Sequence, residues 1–598
     1  MAKKQVSVMN TAFRDGFQSV FGARVFTKDF LPAVEAAADA GFTHFEAGGG
    51  ARYQALYLYC QESAFDMMDA FRKTVGPDAN LQTLARGVNV VGLDSQSSDI
   101  IDLHAKLFKK HGMTTIRNFD ALNDVRNLSF SGQCIADAGL NHEVVVTLME
   151  LPPGCEGAHT AEFYSDCLRN ILDEGIPFSS VCFKDASGTS VPSKVYESIK
   201  QARKMLPEGT HLRLHTHDTA GIAVMQYKAA LDAGADGIDL AMKPMSGGTS
   251  QPDFATMWHA LRGTDYDLGL DIEKVLAAEE VAKDCLKDYF MPPEALAVEP
   301  LIPFFPMPGG ALTANTQMMR DNNMMERYPA VVAKMGEVVR RGGFGTSVTP
   351  VSQFYFQQAF NNEIFGPWKR IAEGYGKMVL GYFGKTPVEP DAEIVALAAE
   401  QLKLEPTKRN PREINDEDPK KGIAVATKRL QDEGLEVNDE NIFVVSTCLD
   451  KGVAFLKGES EIGVRKIDKS KPAAASAGSD HMSVQVAGKS YDVKFEDGKA
   501  VVNGIAYDYN VGEAGEASPA AGSSGAATEV KAELAARVFK LETSVGAKVN
   551  EGDLLLVVEA LKMEIEVRSP ITGVIQALPF AVGNQVAVGD TLAAIAVG

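Results

Sequence analysis

From residue 5 to about 300 the sequence alternates short apolar runs with amphipathic stretches, and eight such runs can be counted. They are Val6–Asn10, Thr43–Glu46, Leu81–Arg86, Thr114–Phe119, Val144–Met149, Ser179–Phe183, His211–His215 and Gly237–Ala241. Stretches such as D29-F-L-P-A-V-E-A-A-A-D-A-G and S193-K-V-Y-E-S-I-K-Q-A-R separate them, with the spacing of apolar residues that one helix face requires. Eight strand–helix units in about 250 residues are the arithmetic of an α/β fold of the (β/α)8 TIM-barrel type. An open doubly wound sheet is the competing architecture, but no G-x-G-x-x-G follows the first strand.

Beyond the barrel the composition changes. Gly- and Pro-marked loops (P306-M-P-G-G310, R340-R-G-G-F-G345) alternate with helical patterns, so residues 306–465 read as a helical C-terminal extension of a barrel spanning 1–305. Residues 466–481 have linker composition, and 482–511 alternate as a small β domain with a tight turn at E496-D-G-K. A second linker, 512–530, is rich in Gly, Ala and Ser; as a random coil it spreads over about 20–25 Å.

The last segment, 531–598, contains a repeat. Val545-G-A-K-V-N-E-G-D-L recurs 37 residues later as Val582-G-N-Q-V-A-V-G-D-T-L, each copy reading strand, turn, strand. Two copies can close a small flattened barrel with quasi-twofold symmetry. Lys562 falls between them, in A560-L-K-M-E564, where a hairpin tip is expected.

The net charge of −20 argues against nucleic acid, whose phosphates require a basic face. No apolar run approaches the roughly 18 residues of a spanning helix, so direct membrane insertion is not expected. The N-terminal M-A-K-K-Q-V lacks a signal-peptide pattern, and seven scattered cysteines without C-x-x-C fit a reducing compartment. A cytoplasmic protein is the expectation.

In a TIM barrel, residues at the C-terminal strand ends meet at one mouth. Here these are Asp15, Glu46, Arg86, Asp120, Lys184-Asp185 and H215-T-H217-D218. Two histidines at i and i+2 on a strand point to the same side, and neutral imidazoles there suit a divalent metal. Lys184 can join such a site only as a neutral amine or as a carbamate; the plainer alternative pairs it with Asp185 or Asp120.

Six motifs carry a family resemblance: M9-N-T-A-F-R-D-G-F-Q-S19, L84-A-R-G-V-N89, R117-N-F-D-A-L-N-D-V-R-N-L128, C182-F-K-D-A-S-G188, L214-H-T-H-D-T219 and P308-G-G-A-L-T313. In this order they resemble the carboxyltransferase domain of biotin-dependent 2-oxo-acid carboxylases and decarboxylases. The C-terminal segment is similar to the hammerhead-type biotinyl carrier domain, with A560-L-K-M in place of A-M-K-M. The resemblance implies covalent biotin on Lys562 and a divalent metal, Zn2+ or Mn2+, held by Asp15, Lys184 (as carbamate), His215 and His217. It also implies that Arg86 and Gln18 hold the oxo-acid, that Arg14 and Asp120 support the site, and that Thr313 shuttles a proton.

The activity implied is carboxyl transfer from carboxybiotin to pyruvate, giving oxaloacetate, by the B-type subunit of a two-subunit pyruvate carboxylase. Its partners would be a separate biotin carboxylase subunit using ATP and bicarbonate, biotin protein ligase, and further copies of the chain in a homo-oligomer. The alternative is the α subunit of a sodium-pumping oxaloacetate decarboxylase running the reverse half-reaction. A carrier with an inactive barrel is a remoter one. The departures from the family pattern are Gly16-Phe17 for alanine-histidine, Gly48 for an aromatic residue, Leu93 for a tyrosine, and Ala311-Leu312 for glutamine-tyrosine.

Overall fold

The computed structural model describes residues 3–467, 481–486, 489–496, 499–502, 505–508, 527–532, 536–560, 563–587 and 589–597. Among these, eight parallel strands close into a barrel: β1 (Ser7–Asn10), β2 (His44–Glu46), β3 (Asn80–Ala85), β4 (Thr115–Asn118), β5 (Asn141–Thr147), β6 (Ser180–Asp185), β7 (His211–Thr216) and β8 (Gly237–Leu240). Each pairs with its sequence neighbours and β8 returns to β1, with Val8 opposite Ile238. All eight apolar runs read from the sequence become barrel strands.

The apolar side chains between strands and outer helices form the core. One end of it is an aromatic cluster in which Phe13, Phe17, Phe30, Phe45 and Phe71 meet with ring centroids 5.1–6.4 Å apart. Such edge and offset contacts each add about 0.5–1.5 kcal/mol beyond the area they bury. Phe17, the residue standing where the family has histidine, is fully buried there and belongs to the core.

Residues 1–305 and 306–465 are one compact unit, which ends at Lys466. Helices Gly309–Asp321, Tyr328–Arg341 and Val351–Ile364 begin the extension, and helix Asp439–Leu456 ends it. That last helix returns to the barrel's outer wall, where Phe443 meets Tyr53 (5.5 Å between centroids) and Phe455 meets Tyr57 (4.8 Å). No helix of the described residues is long and apolar enough to cross a membrane.

The second unit, from Ile467, starts with a four-stranded antiparallel meander, β9 (His481–Val486), β10 (Lys489–Glu496), β11 (Lys499–Val502) and β12 (Ile505–Asp508). Most of both sequence-read linkers lies outside the described residues. Eight further strands follow: β13 (Ala527–Lys531), β14 (Ala536–Leu541), β15 (Lys548–Val549), β16 (Leu554–Ala560), β17 (Met563–Arg568), β18 (Gly573–Ala577), β19 (Gln585–Val586) and β20 (Thr591–Val597). They form two four-stranded sheets, ordered β13-β20-β18-β15 and β17-β16-β14-β19.

The two sequence copies exchange sheets. The first contributes β15 to one sheet and β16 to the other; the second contributes β19 and β20 in the opposite sense. Their turns match atom for atom: Asn550 N donates to Asp553 Oδ2 at 2.7 Å, and Ala587 N donates to Asp590 Oδ2 at 2.7 Å. Gly552 and Gly589 take φ of 89° and 90°, a region closed to most side chains, which explains why both copies keep glycine there. Strands β16 and β17 pair as far as Ala560 with Met563, the residues flanking Leu561 and Lys562. Lys562 itself lies outside the described residues.

Candidate active site at the barrel mouth

The segment after β1 winds as a π-helix, Ala12–Gly16, into helix Phe17–Phe21, and so carries Arg14, Asp15 and Gln18 over the mouth. Gly16 sits tight beneath the loop after β8, where an added Cβ would lie 2.8 Å from Met245 Cβ. From β7 come His215 and, two residues on, His217.

Asp15, His215 and His217 converge, their ligand atoms all within 4.8 Å of one another. Asp15 Oδ2 is 3.2 Å from the Nε2 of each imidazole. His215 Nδ1 is fixed by Asp239 Oδ2 at 2.8 Å, and His217 Nδ1 donates to the Thr249 carbonyl at 2.7 Å. With both Nδ1 atoms facing acceptors, both Nε2 lone pairs turn toward the carboxylate. Among the described residues His215 Nε2 is buried without a hydrogen-bond partner. A carboxylate oxygen and two imidazole Nε2 atoms so gathered form a donor set that fits a divalent metal.

The surroundings reinforce this. Burial works to raise the Asp15 pKa, yet the Arg14 guanidinium and the two imidazoles hold it well below the usual carboxylate range. Burial, and then Lys184, depress His215, keeping it neutral as a ligand must be. Gln251 completes the ring: Thr11 Oγ1 donates to its Oε1 (2.7 Å), which orients Nε2 toward Asp15 Oδ2 (3.1 Å).

Lys184 lies on β6 beside His215 in register. Its pKa is lowered by burial, against the pull of Asp15. Its amine makes no hydrogen bond or ion pair among the described residues, and faces the Phe119 ring 5.8 Å from the centroid. Neither carboxylate that the sequence offered as a salt-bridge partner takes it. Asp185 accepts instead from Ser187, Gly188, Ser190 and Gln226, and so holds the loop after β6.

Asp120 likewise turns to its own loop. Its Oδ2 accepts from Leu122 N (3.0 Å) and Asp124 N (2.9 Å), and its Oδ1 from Asn127 Nδ2 (3.0 Å). Burial and the neighbouring Asp124 nonetheless push its carboxyl up to about 7. These hydrogen bonds hold the loop after β4.

Two guanidiniums share the mouth and differ in compensation. Arg14 is paired with Glu46 and with Asp15 Oδ1 (3.2 Å), and it also donates to Gln18 Oε1 (3.2 Å). Among the described residues Arg86 has only carbonyls, Val91 O at 2.7 Å and Gly92 O at 2.9 Å, and its Nε is buried without a partner. Burial and the like charge of Arg14 bring its pKa down to about 9. A bound carboxylate would satisfy it.

Helix Gly309–Asp321 brings Thr313 to the same place. Gly309 permits the approach, because a Cβ there would lie 1.7 Å from the Thr249 carbonyl. Thr313 Oγ1 donates to Thr249 Oγ1 at 3.4 Å, and Thr249 also holds His217, so hydroxyl and imidazole share one loop. Gly310 leaves room for Gln18, whose Cγ would be 3.2 Å from an added Cβ.

Two of the other departures can be placed locally. Met68 Sδ fills the space beside Gly48, 2.9 Å from where its Cβ would be, and Leu93 is 46% exposed. Four contributors did not stand out in the sequence: Asp239, Arg117, Thr249 and Gln251. Asp239 had a signal, being the one acid within the apolar run G237-I-D-L-A241.

One chain thus carries both a barrel whose mouth gathers Asp15, His215 and His217 beside Arg86 and a small two-sheet domain built from a sequence repeat. Residues 154–282 match the family model described as HMGL-like, 302–502 that of the conserved carboxylase domain, and 523–595 that of the biotin-requiring enzymes. The B-type subunit of pyruvate carboxylase from Methanothermobacter thermautotrophicus is 30% identical over 570 residues, covering 94% of this chain and 94% of that protein. The methylmalonyl-CoA carboxyltransferase 5S subunit of Propionibacterium freudenreichii is 28% identical, over 69% of this chain and 80% of its own. The carboxyl transferase domain of Rhizobium etli pyruvate carboxylase, solved with pyruvate and biocytin, superimposes with a TM-score of 0.69 at 22% identity, covering 84% of this chain and 88% of that one. The chain belongs to the biotin-dependent carboxyltransferase family that includes the B-type subunits of pyruvate carboxylase.

Proposed function

We propose that the chain is the carboxyltransferase and carrier subunit of a two-subunit pyruvate carboxylase, with biotin on Lys562 and a divalent metal on Asp15, His215, His217 and carbamylated Lys184. The observation that carries this reading is the pair of Nε2 atoms turned toward Asp15 beside an uncompensated Arg86. The metal, when bound, supplies Lewis-acid polarisation of the 2-oxo group, and biotin supplies labile CO2.

The residues of the chain do the rest. Arg86 grips the oxo-acid carboxylate, with Gln18 beside it, and Arg14 is held ready by Glu46. Charge developing on the substrate oxygen then falls where fixed positive groups already stand, so the transition state gains more than the ground state. Thr313 is a poor acid and base alone and acts as a relay: its hydroxyl accepts the proton leaving the substrate methyl and passes its own to the leaving ring nitrogen. Lys184, its ammonium form disfavoured by burial, is chemically suited to react with CO2, since only the neutral amine forms a carbamate. Neutralising the ammonium and adding an anionic oxygen donor removes the repulsion it would otherwise exert on a dication.

The test is oxaloacetate decarboxylation by the full biotinylated chain, with co-purification of its partner. Avidin-sensitive turnover and an associated ATP-dependent biotin carboxylase are expected. Avidin-insensitive turnover would overturn the proposal, and an integral membrane decarboxylase in place of the biotin carboxylase would reverse its direction.

A further inference from the structure

The loop after β3, residues 86–97, begins with Arg86 and folds back over it. Arg86 N donates to Val90 O (2.9 Å) and Gln96 N to Val88 O (2.8 Å), while the carbonyls of Val91 and Gly92 occupy Arg86 Nη1. That leaves the Nε edge of the guanidinium for an incoming carboxylate. The fold-back is strained. Val90 holds φ of 45° and ψ of −103°, a region that a β-branched side chain rarely enters. Such backbone persists only where its surroundings over-determine it.

The constraint comes from the helical extension. Lys421, just ahead of helix Ile423–Asp432, donates through Nζ to Asp94 Oδ2 (2.8 Å), Ser95 O (2.6 Å) and Asn415 Oδ1 (2.6 Å). An ammonium has three N–H donors, and three acceptors meet it here. Asn415, on helix Pro411–Asp416, donates in turn to Ser95 Oγ (2.8 Å). An exposed ion pair contributes little, but two of these three acceptors are uncharged and the Lys421 side chain is only 18% exposed.

We propose that Lys421 is a positioning residue for oxo-acid binding: it ties the far end of the loop after β3 to the helical extension, and so keeps the Val91 and Gly92 carbonyls where they aim Arg86. Without the tie, the strain at Val90 is free to relax, the carbonyls leave Nη1, and the guanidinium must be re-ordered before it can grip a carboxylate. Thr313 and the cluster of Asp15, His215 and His217 stand on other segments and keep their geometry. The loss therefore falls on KM and spares kcat. The role in binding rests on the carboxyltransferase reading above, whereas the tie itself does not.

Lys421→Met, which keeps the aliphatic stem and removes the three donors, tests both in the full biotinylated chain. Amides in 88–96 should exchange with solvent about tenfold faster while those of β5 stay constant, and KM for oxaloacetate should rise about tenfold with kcat within about twofold. In an Arg86→Met background the same substitution should leave kcat/KM unchanged, because it acts through Arg86. Asp94→Asn, altering an exposed side chain, should move the same readouts in the same direction by less, and carries the test if Lys421→Met does not fold. Unchanged exchange in 88–96 overturns the tie. A loss confined to kcat, or an equal loss with and without Arg86, overturns the positioning role. A wild-type chain that does not turn over oxaloacetate rejects the carboxyltransferase reading and the role in binding with it, and the exchange comparison still decides the tie.

Discussion

The barrel interior contains two layers of buried charge that differ in one respect. In the deeper layer Arg117 and Arg213 face Glu143 and Asp239: Arg117 bonds both acids, and Arg213 NH1 reaches Asp239 Oδ1 at 3.0 Å. Two cations meet two anions, and all four side chains are essentially inaccessible. At the mouth, Arg14 is matched by Glu46 and Asp15, but Arg86 and the Lys184 amine have no acid among the described residues. Burying charge costs several kcal/mol per ion unless it is paired, so a fold tolerates the deeper layer because it is balanced. Arg86 above it lacks such a pairing, a cost that a bound carboxylate would offset, and it lies where the proposed chemistry is placed.

Substitutions in the two layers should therefore separate stability from function. The largest expected effect is on turnover. Thr313→Ala should lower carboxyl transfer by about 10²–10⁴-fold, the usual range for losing a positioned proton donor, with thermal midpoint and metal content unchanged. Near-normal transfer would exclude the relay. In the deeper layer, Asp239→Asn leaves Arg117 and Arg213 short of an anion and should destabilise the fold by about 3–5 kcal/mol in denaturant unfolding. It should also weaken metal binding about 10–100-fold, because His215 loses the carboxylate that orients it. Arg86→Met sharpens the contrast: oxo-acid binding by calorimetry should weaken by about 2–5 kcal/mol while the melting temperature holds or rises. If Arg86→Met destabilised the fold as much as Asp239→Asn, the two layers would not differ as described.

The sequence disclosed the frame and half of the site. Eight apolar runs at barrel spacing became the eight strands, because the face that each strand turns to the outer helices must be apolar. His215 and His217 were legible because period two places both on one side of β7. The second carrier copy was legible because its turn chemistry, an Asp accepting from the backbone beside a positive-φ glycine, is written locally. Arg117 and Asp239 were not, since their bond joins residues 122 apart and only barrel closure brings them together. Asp120 and Asp185 were visible as strand-end acids, but whether such an acid faces the mouth or caps its own loop depends on one backbone turn. Gln251 and Thr249 sit in an irregular loop with no periodicity to read.

The chemistry proposed for the mouth depends on a divalent cation held by Asp15 and the two imidazoles. Elemental analysis of the purified full-length chain, beside the Asp15→Asn and His217→Ala variants, tests for it without recourse to activity. One tightly held divalent ion per wild-type chain, lost in both variants at unchanged circular dichroism, is the predicted result. Equal metal in all three proteins, or a fully active wild-type chain without any, would contradict it.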